Sequence, residues 1–242
     1  MRFKLDFKTN NNVIPIDYRR FLLSYIKNAL SNYDEKIYSQ YYNKKDPIHK
    51  NFTFTINFGK SKFEKEKILL EENKFSFYYS TSDYVLGTHL FAAFREQINR
   101  EFKIKNNSIN LCNIKFFKSK NFLSKNIDFK ILSPVLIRDH KKDNKDNSDV
   151  YYSFEDKEFE EILKNNLKYR LKDFPSEYLE NISIIPIKTR SVLVKNYGTI
   201  LKGNLGYIKI LANEKVIEYI YQSGLGSKNS MGFGMLEISK RG

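Results

Sequence analysis

A segment near the C-terminus places four glycines around a Lys-Asn-Ser centre. It reads GLGSKNSMGFG and contains Gly224, Gly226, Ser227, Lys228, Asn229 and Ser230. Glycine accepts positive φ and lets a backbone approach a ligand closely. Consecutive N–H groups of such a segment can form a concave anion site, to which the ammonium of Lys228 adds charge. The spacing therefore predicts a phosphate-binding segment, although a plain connector between a helix and a strand would have the same composition.

Histidine is the side chain best suited to proton transfer near neutral pH, because its unperturbed pKa is about 6.5. The chain has three, His49, His89 and His140. His89 flanks the apolar stripe of a predicted helix, which favours a structural role, and His140 falls in a charged stretch where we expect it to be solvated. Three scattered histidines and the single Cys112 offer neither a zinc-type ligand set nor a disulfide framework. The sequence therefore predicts no bound metal or cofactor.

The charge balance favours a polyanionic partner. Lys and Arg number 42 against 28 Asp and Glu, which leaves a net charge of +14. Such a field attracts nucleic acid in a salt-dependent way. An AT-rich coding bias would also enrich Lys, but it would favour Asp and Glu as well. The chain has no run of about 18 apolar residues and no secretory leader, so we expect a cytosolic protein that does not enter a membrane.

The hydrophobic periodicity of the first half predicts strand, helix, two strands, helix and strand, in that order. The first strand spans residues 2–8, and the first helix follows Asp17, a suitable N-cap, with Arg19, Arg20 and Lys27 on its polar side. The segments NFTFTINF and KFSFYYS predict an antiparallel pair. Ser82 is expected to cap the second helix, and SINLCNIKFF predicts the last strand.

The second half repeats this order with IDFKILSPVLI, a helix from Ser153, ISIIPIKTRSVLVK, GYIKILA, a short helix EKVIEYIYQ and GMLEIS. The repeat predicts an α+β fold of two tandem ferredoxin-like (RRM-like) β-α-β-β-α-β domains, residues 1–122 and 123–242, with a glycine-rich loop near the C-terminus. The charged stretch RDHKKDNKDNSD predicts a loop. Neither half carries the RNP1 pattern by which ordinary RRMs stack bases, so basic clefts and loops are expected to hold a nucleic acid.

The segment from Gly224 to Gly234 resembles the C-terminal glycine-rich loop of the CRISPR repeat-processing endoribonucleases of the RAMP superfamily. The similarity includes Lys228-Asn229-Ser230 and Gly232-Phe233-Gly234 as well as the glycine spacing. Three weaker features agree with it: an opening strand followed by a tyrosine-containing helix, the FTFT strand at 52–55, and ILSPV at 131–135. The resemblance spans the chain, and the C-terminal motif is its most specific part.

This resemblance implies cleavage within a CRISPR repeat transcript by attack of a ribose 2′-hydroxyl on its neighbouring phosphate, leaving a 2′,3′-cyclic phosphate and a 5′-hydroxyl without a metal. Similar enzymes carry their catalytic histidine between the first helix and the FTFT strand, which makes His49 the candidate general acid or base. Some relatives place that histidine at the end of a short helix, a slot closer here to Tyr42. Lys50 could stabilise the phosphorane, and Tyr42, Tyr38 or Tyr25 could orient the 2′-hydroxyl, although helical spacing favours the core for Tyr25.

The resemblance also implies RNA contacts. The glycine-rich residues would hold RNA phosphate, and Lys188, Arg190 and Lys195 resemble in position the element that contacts the RNA stem in related enzymes, although a solvated sheet face explains them equally well. The implied partner is CRISPR repeat RNA, with a CRISPR effector complex as a further one, for a monomer or homodimer. Two alternatives stay open: a catalytically inactive repeat-RNA-binding protein, in which Tyr42 marks loss of the histidine, and a structural RAMP subunit of an effector complex.

Overall fold

The computed structural model describes residues 1–42, 49–139 and 149–239. The chain forms two compact units, Met1–Ser119 with Lys195–Thr199, and Lys120–Val194 with Ile200–Gly242. Most of the charged stretch for which a loop was predicted, His140 included, lies outside the described residues. No helix of the described part of the chain is long and apolar enough to span a bilayer.

The first unit is built on a five-stranded antiparallel sheet. Its elements in chain order are β1 (Arg2–Thr9), β2 (Val13–Pro15), α1 (Tyr18–Tyr33), α2 (Glu35–Tyr42), β3 (Phe52–Asn57), β4 (Ser61–Phe63), β5 (Lys67–Leu70), β6 (Lys74–Thr81), α3 (Tyr84–Glu96), β7 (Glu101–Ile104) and β8 (Asn107–Phe116). The sheet order is β3-β6-β1-β8-β7. Strands β3, β6, β1 and β8 lie side by side in the ferredoxin-like order that was predicted. The sequence pattern missed α2, the edge strand β7 and a small sheet in the order β2-β5-β4.

An aromatic core holds the first unit together. Phe3, Leu5 and Phe7 alternate along β1 and are at most 1% exposed, which is the expected behaviour of a strand with one buried face. Phe3 stacks on Tyr79 of β6 with ring centroids 4.9 Å apart. Tyr25 of α1 is equally buried and stacks on a core phenylalanine of α3. The core role favoured for Tyr25 is confirmed, and this residue is not available to a ligand.

The second unit has a four-stranded sheet in the same ferredoxin-like order. Its elements are β9 (Asn126–Ile131), β10 (Ile137–Asp139), β11 (Val150–Tyr152), α4 (Phe159–Arg170), β12 (Ser183–Asn196), β13 (Thr199–Leu211), α5 (Glu214–Ser223) and β14 (Leu236–Ile238). The sheet order is β12-β13-β9-β14, and β10 pairs with β11 in a separate ribbon. The turn of the β12–β13 hairpin, Tyr197–Gly198, has φ of 50° and 82°, as the type I′ turns of tight hairpins require.

One predicted helix cap in the first unit is confirmed in position and the other is wrong. Asp17 is the N-cap residue of α1 as predicted, but its carboxylate makes no capping hydrogen bond to the helix. Its Oδ2 instead accepts the backbone N–H of Tyr197 at 3.0 Å, a contact distant in sequence. The second helix begins one residue later than expected, because the carboxylate of Asp83, and not Ser82, accepts the N–H of Leu86 at 2.9 Å.

Two further expectations were corrected by local packing. The helix predicted to start at Ser153 begins at Phe159, because the Ser153 N–H donates to the carboxylate of Asp156 at 2.6 Å and closes a turn first. Arg19, expected on the polar side of α1, is only 4% exposed, and its guanidinium lies 4.7 Å from the ring centre of Tyr18. A guanidinium can be buried where an aromatic face receives it.

Candidate functional site

The ring of Tyr42, at the end of α2, is the meeting point of the candidate catalytic side chains. The ammonium of Lys50 lies 4.8 Å from the ring centre and that of Lys27 lies 5.2 Å from it. Tyr38, one helical turn earlier, stacks on the ring at 5.3 Å with an interplanar angle of 21°. Three predicted residues, Tyr38, Tyr42 and Lys50, are therefore adjacent. Lys27 joins them from α1, where the sequence indicated only a surface position.

The hydroxyl of Tyr42 is buried without a hydrogen-bond partner among the residues that the structure describes. Burial, followed by the proximity of Tyr38, raises the pKa of Tyr42 well above its ordinary value. The phenol therefore stays protonated at neutral pH and cannot act as a base. It can still donate a hydrogen bond to an anionic oxygen. Tyr42 is thus suited to orient or polarise a phosphate and unsuited to transfer a proton.

Lys50 is half-buried beside a second cation. Burial lowers the pKa of Lys50, and the charge of Lys27 lowers it further. Both effects disfavour the ammonium, so its proton leaves more readily than that of an exposed lysine. A phosphate placed between Lys27 and Lys50 would reverse the second effect by supplying negative charge. The pair therefore combines an anion site with a lysine of lowered proton affinity.

His49 precedes Lys50 in the chain, and its side chain is exposed. It is next in sequence to Lys50 of the Tyr42 cluster, which we define as Lys27, Tyr38, Tyr42 and Lys50. His89, the other described histidine, is half-buried on α3 with its ring 6.0 Å from that of Tyr33. That environment agrees with the structural role expected for His89.

Helix α2 is held at both ends, which fixes the position of Tyr42. At its start the carboxylate of Asp34 accepts the N–H groups of Lys36 at 2.8 Å and Ile37 at 3.0 Å, as an N-cap does. At its end the Tyr41 hydroxyl donates to Asp83 at 3.1 Å. Burial and this contact raise the pKa of Tyr41 to about 12. Asp83 thus caps α3 and anchors α2 at the same time.

The glycine-rich segment of the second unit is shaped by two close backbone approaches. Gly226 has φ of 79°, and a Cβ there would lie 2.4 Å from the carbonyl oxygen of Leu136. Gly234 has φ of 73°, and a Cβ there would lie 1.9 Å from the carbonyl oxygen of Leu225. The buried amide of Asn229 closes the segment by donating to the carbonyls of Leu225 and Phe233 at 3.0 and 3.1 Å. These glycines are required by packing.

Several N–H groups that were expected to face an anion are used inside the protein. The N–H of Ser227 donates to Leu136, that of Gly234 to Pro134, and that of Leu225 to Gly234. The Ser227 hydroxyl donates to Asn166 at 2.6 Å. The backbone of Gly224 and Gly226 and the side chains of Ser227 and Asn229 are buried, whereas Lys228 and Ser230 are partly exposed. A ligand can therefore reach this segment through Lys228 and Ser230.

Arg170, at the end of α4, is a supporting residue that the sequence did not identify. Its guanidinium donates to the carbonyls of Gly224 at 2.7 Å and Gly226 at 3.3 Å, and to the hydroxyl of Ser223 at 2.7 Å. Burial lowers the pKa of Arg170, while Tyr219 opposes that effect. Arg170 gathers carbonyl groups at the C-terminus of α5 and so fixes the start of the glycine-rich segment. No sequence spacing relates it to that segment.

The three basic residues predicted on β12 do not form one group. Lys188 and Arg190, two residues apart, are exposed. Lys195 follows Arg190 on the same strand at an odd spacing. Side chains at an odd spacing point to opposite faces of a strand, so Lys195 lies on the other face. It bonds both carboxylate oxygens of Glu66 at 3.0 and 3.1 Å. Lys188 and Arg190 can therefore meet a ligand directly, whereas the ammonium of Lys195 is already paired.

Within the described ranges, 1–42, 49–139 and 149–239, no group of three or more His, Cys, Asp or Glu side chains is arranged to hold a metal ion.

The chain is an α+β protein of two ferredoxin-like folds, with a glycine-rich segment between the last helix and the last strand of the second. A family model described as "CRISPR associated protein Cas6, C-terminal" matches residues 117–238, half of the chain. The chain belongs to the Cas6 family.

Relatives of known name agree over nearly the full length. A CRISPR-associated endoribonuclease-like protein Cas6 of Pyrococcus furiosus is 28% identical over 239 residues, 95% of this chain and 94% of the relative. The CRISPR-associated endoribonuclease Cas6 1 of Methanocaldococcus jannaschii is 25% identical over 98% of this chain and 92% of the relative. A solved structure of a Cas6-related gene product from Pyrococcus furiosus has a TM-score of 0.87 at 23% identity, covering 100% of this chain and 99% of that one. This last similarity shows the fold.

We expect Gly234→Ala to destabilise the protein far more than Gly198→Ala. Both glycines have positive φ, but a Cβ at Gly198 meets nothing within 4 Å, whereas at Gly234 it meets a carbonyl oxygen. Gly198→Ala should cost about 1 kcal/mol for its backbone conformation, and Gly234→Ala about 3–5 kcal/mol. Urea unfolding of the two variants measures the difference. Equal losses in the free energy of unfolding would show that the carbonyl oxygen close to Gly234 adds nothing to the cost of a side chain there.

We expect Lys50→Met to leave the free energy of unfolding unchanged or higher at neutral pH. The pKa of Lys50 is lower in the folded protein, so the unfolded chain binds this proton more tightly and the ammonium destabilises the fold at neutral pH. This destabilisation disappears as the pH rises towards the pKa that Lys50 has in the unfolded chain. Urea unfolding at about pH 7 and about pH 10 should therefore show a smaller difference from wild type at the higher pH. Lys36→Met, at an exposed position on α2, is the matched control, and a less stable Lys50→Met at neutral pH would contradict this account.

Proposed function

We propose that this protein is a metal-independent endoribonuclease that cleaves CRISPR repeat RNA into guide units. The observation that carries the proposal is the Tyr42 cluster, with the exposed His49 next to Lys50 in the chain. The chain is of the Cas6 family, and its M. jannaschii relative is named an endoribonuclease. Two ammonium groups, a buried phenol donor and an exposed imidazole are the groups that cleavage by an internal 2′-hydroxyl requires.

Each group has one role in the proposed reaction. His49 takes the proton of the ribose 2′-hydroxyl or returns one to the leaving 5′-oxygen. Lys50 and Lys27 hold the negative charge that develops on the phosphorane, and the hydroxyl of Tyr42 donates to one of its oxygens. Tyr38 supports the ring of Tyr42 by stacking. The bond from phosphorus to the 5′-oxygen breaks as the bond to the 2′-oxygen forms, giving a 2′,3′-cyclic phosphate and a 5′-hydroxyl.

The two halves divide the work in this proposal. We assign residues 1–122 to a domain that carries the proton transfer and 123–242 to a domain that holds RNA. The exposed Lys188 and Arg190 contact the repeat, and Lys228 and Ser230 contact its backbone. We propose that the protein acts on RNA as a monomer or homodimer and delivers its product to a CRISPR effector complex.

A second function, repeat-RNA binding without cleavage, is favoured by one observation. The short helix α2 ends in Tyr42, whose phenol keeps its proton at neutral pH, so an enzyme that used this position for proton transfer would be inactive here. The cluster would then serve as a phosphate-binding site only. Cleavage of repeat RNA separates the two functions directly.

We expect His49→Ala to lower the cleavage rate of a synthetic repeat RNA about 10²- to 10⁴-fold, the usual loss when a general acid or base is removed. The dissociation constant for RNA should change little, because His49 is neither a buried nor a permanent cation. His89→Ala, the half-buried histidine of α3, is the matched control and should retain the wild-type rate. Single-turnover cleavage and fluorescence anisotropy provide the two measurements.

The outcomes distinguish the alternatives. Cleavage by His49→Ala at the wild-type rate would show that another group transfers the proton. Tight binding without cleavage by the wild-type protein would establish the binding function. Cooperative assembly along a guide RNA in place of binding to a single repeat would indicate a structural subunit of an effector complex.

We expect full cleavage activity in excess EDTA and none on a repeat whose cleavage-site ribose lacks its 2′-hydroxyl. The attacking 2′-hydroxyl is then missing, whereas the phosphate and the nucleobase remain. The downstream product should accept a 5′-label from polynucleotide kinase without prior phosphatase treatment, because it begins with a hydroxyl. Activity lost in EDTA and restored by Mg²⁺, or cleavage of the deoxy substrate, would contradict the proposed reaction.

A further inference from the structure

The carboxylate of Asp149 is held by three donors in the second unit. The guanidinium of Arg138 forms an ion pair with its Oδ1. The hydroxyl of Tyr151 donates to its Oδ2 at 3.0 Å, and the ammonium of Lys228, from the glycine-rich segment, lies 3.6 Å from the same oxygen. Two cations and a phenol thus surround a single carboxylate.

The backbone segments that carry these donors are joined by contacts that do not involve the carboxylate. Arg138 of β10 and Tyr151 of β11 are direct partners in an antiparallel ribbon. Asn166 of α4 donates to the Arg138 carbonyl at 2.9 Å and accepts the hydroxyl of Ser227 at 2.6 Å, which ties the ribbon to the residue before Lys228. These contacts involve main-chain or buried groups, so the arrangement can persist when Asp149 moves.

The site has more positive charge and more donors than one carboxylate uses. The Nε–H of Arg138 is buried and has no hydrogen-bond partner in the described part of the chain. Among the described residues, two positive charges, those of Arg138 and Lys228, face the one negative charge of Asp149, which leaves a surplus of one. The side chains of Arg138, Asp149 and Lys228 are 25–29% exposed, so the site is accessible from solvent.

The carboxylate is ionised in this environment. Burial alone would raise the pKa of Asp149, but the hydrogen bonds from Tyr151 and Arg138 and the charges of Arg138 and Lys228 hold it below its ordinary value. A phosphodiester also presents two oxygens that share one negative charge, and guanidinium, ammonium and phenol groups all bind such oxygens. A carboxylate and a phosphodiester can therefore use the same set of donors.

We propose that Arg138, Tyr151 and Lys228 form a binding site for one backbone phosphate of RNA, which the Asp149 carboxylate occupies until RNA displaces it. The proposal rests on the proposed function, since it assumes that the bound polyanion is RNA. Displacement exchanges one anion for another at a site that is already assembled. Asp149 thereby lowers the affinity for RNA and keeps the cations from binding other anions.

The test compares Asp149→Asn with Asp173→Asn for binding to a single-stranded repeat RNA. Both substitutions remove one negative charge from the second unit, but Asp173 is exposed just after α4. Asp149→Asn should bind about three- to tenfold more tightly at low salt. The slope of log K against log salt concentration should be steeper by about 0.7, because one added phosphate contact on a single strand has this effect. Asp173→Asn should stay within about twofold of wild type, because an exposed isolated charge is screened.

Removal of a donor gives the opposite result. Arg138→Gln and Lys228→Met should each weaken binding, and either should abolish the gain when combined with Asp149→Asn. A gain that survives both donor substitutions, or equal affinities for Asp149→Asn and Asp173→Asn, would overturn the site. Weaker binding by Asp149→Asn would also overturn it and would show that the carboxylate orients Lys228 for RNA.

Cleavage, measured in parallel, keeps this proposal distinct from the proposed function. A gain in affinity by Asp149→Asn without cleavage by any variant would establish the phosphate site and remove the endoribonuclease function. Normal cleavage without a gain in affinity by Asp149→Asn would establish the endoribonuclease function and overturn the phosphate site. No RNA binding by either wild type or Asp149→Asn would overturn both.

Discussion

Close contact between backbones at two glycines is the constraint on which the second unit depends. At Gly226 and Gly234 a carbonyl oxygen occupies the space that a side chain would need. These approaches let the segment between α5 and β14 turn back on itself while its N–H groups find partners in Pro134 and Leu136. The short strand β14 then pairs with β9, Leu236 opposite Ile131. The position of Lys228 follows from this packing, as does its proximity to Asp149.

The charge of +14 acts in two different ways. Exposed cations such as Lys188 and Arg190 contribute a long-range field that attracts a polyanion but is screened by salt. Lys50, Lys228 and Arg138 are partly buried against a phenol, another cation or a carboxylate. Part of their dehydration is complete before a ligand arrives, so a phosphate at these sites gains more from each charge than it would at the surface. We therefore assign charge stabilisation and phosphate binding to the partly buried cations, and contact with the repeat to the exposed pair.

Family membership and proposed chemistry rest on different parts of the chain. The family match covers residues 117–238, which include the glycine-rich segment. The Tyr42 cluster and His49 lie before residue 117. The relatives aligned over nearly the whole chain cover this part, whereas the family match does not. A chain could keep the packing of its second fold and lose the proton-transfer group of its first without leaving the family. In our proposal, activity therefore depends on a few side chains of α1, α2 and the segment before β3.

The sequence alone was sufficient for the β-α-β-β-α-β order of each ferredoxin-like fold and for the family, because periodicities of 2.0 and 3.6 residues and glycine spacing are local properties. It did not reveal α2, β7 or the small sheet of the first unit. Sequence also selected Tyr38, Tyr42 and Lys50, which proved to be adjacent. It could not identify Lys27 as a neighbour of that cluster, or Arg170 and Asp149 as neighbours of the glycine-rich segment. Nor could it separate Lys195, paired with Glu66, from Lys188 and Arg190. These relations join residues far apart in the chain, and burial sets their protonation. Only the tertiary structure, which brings such groups within a few ångströms and removes water from them, decides which side chains share a site.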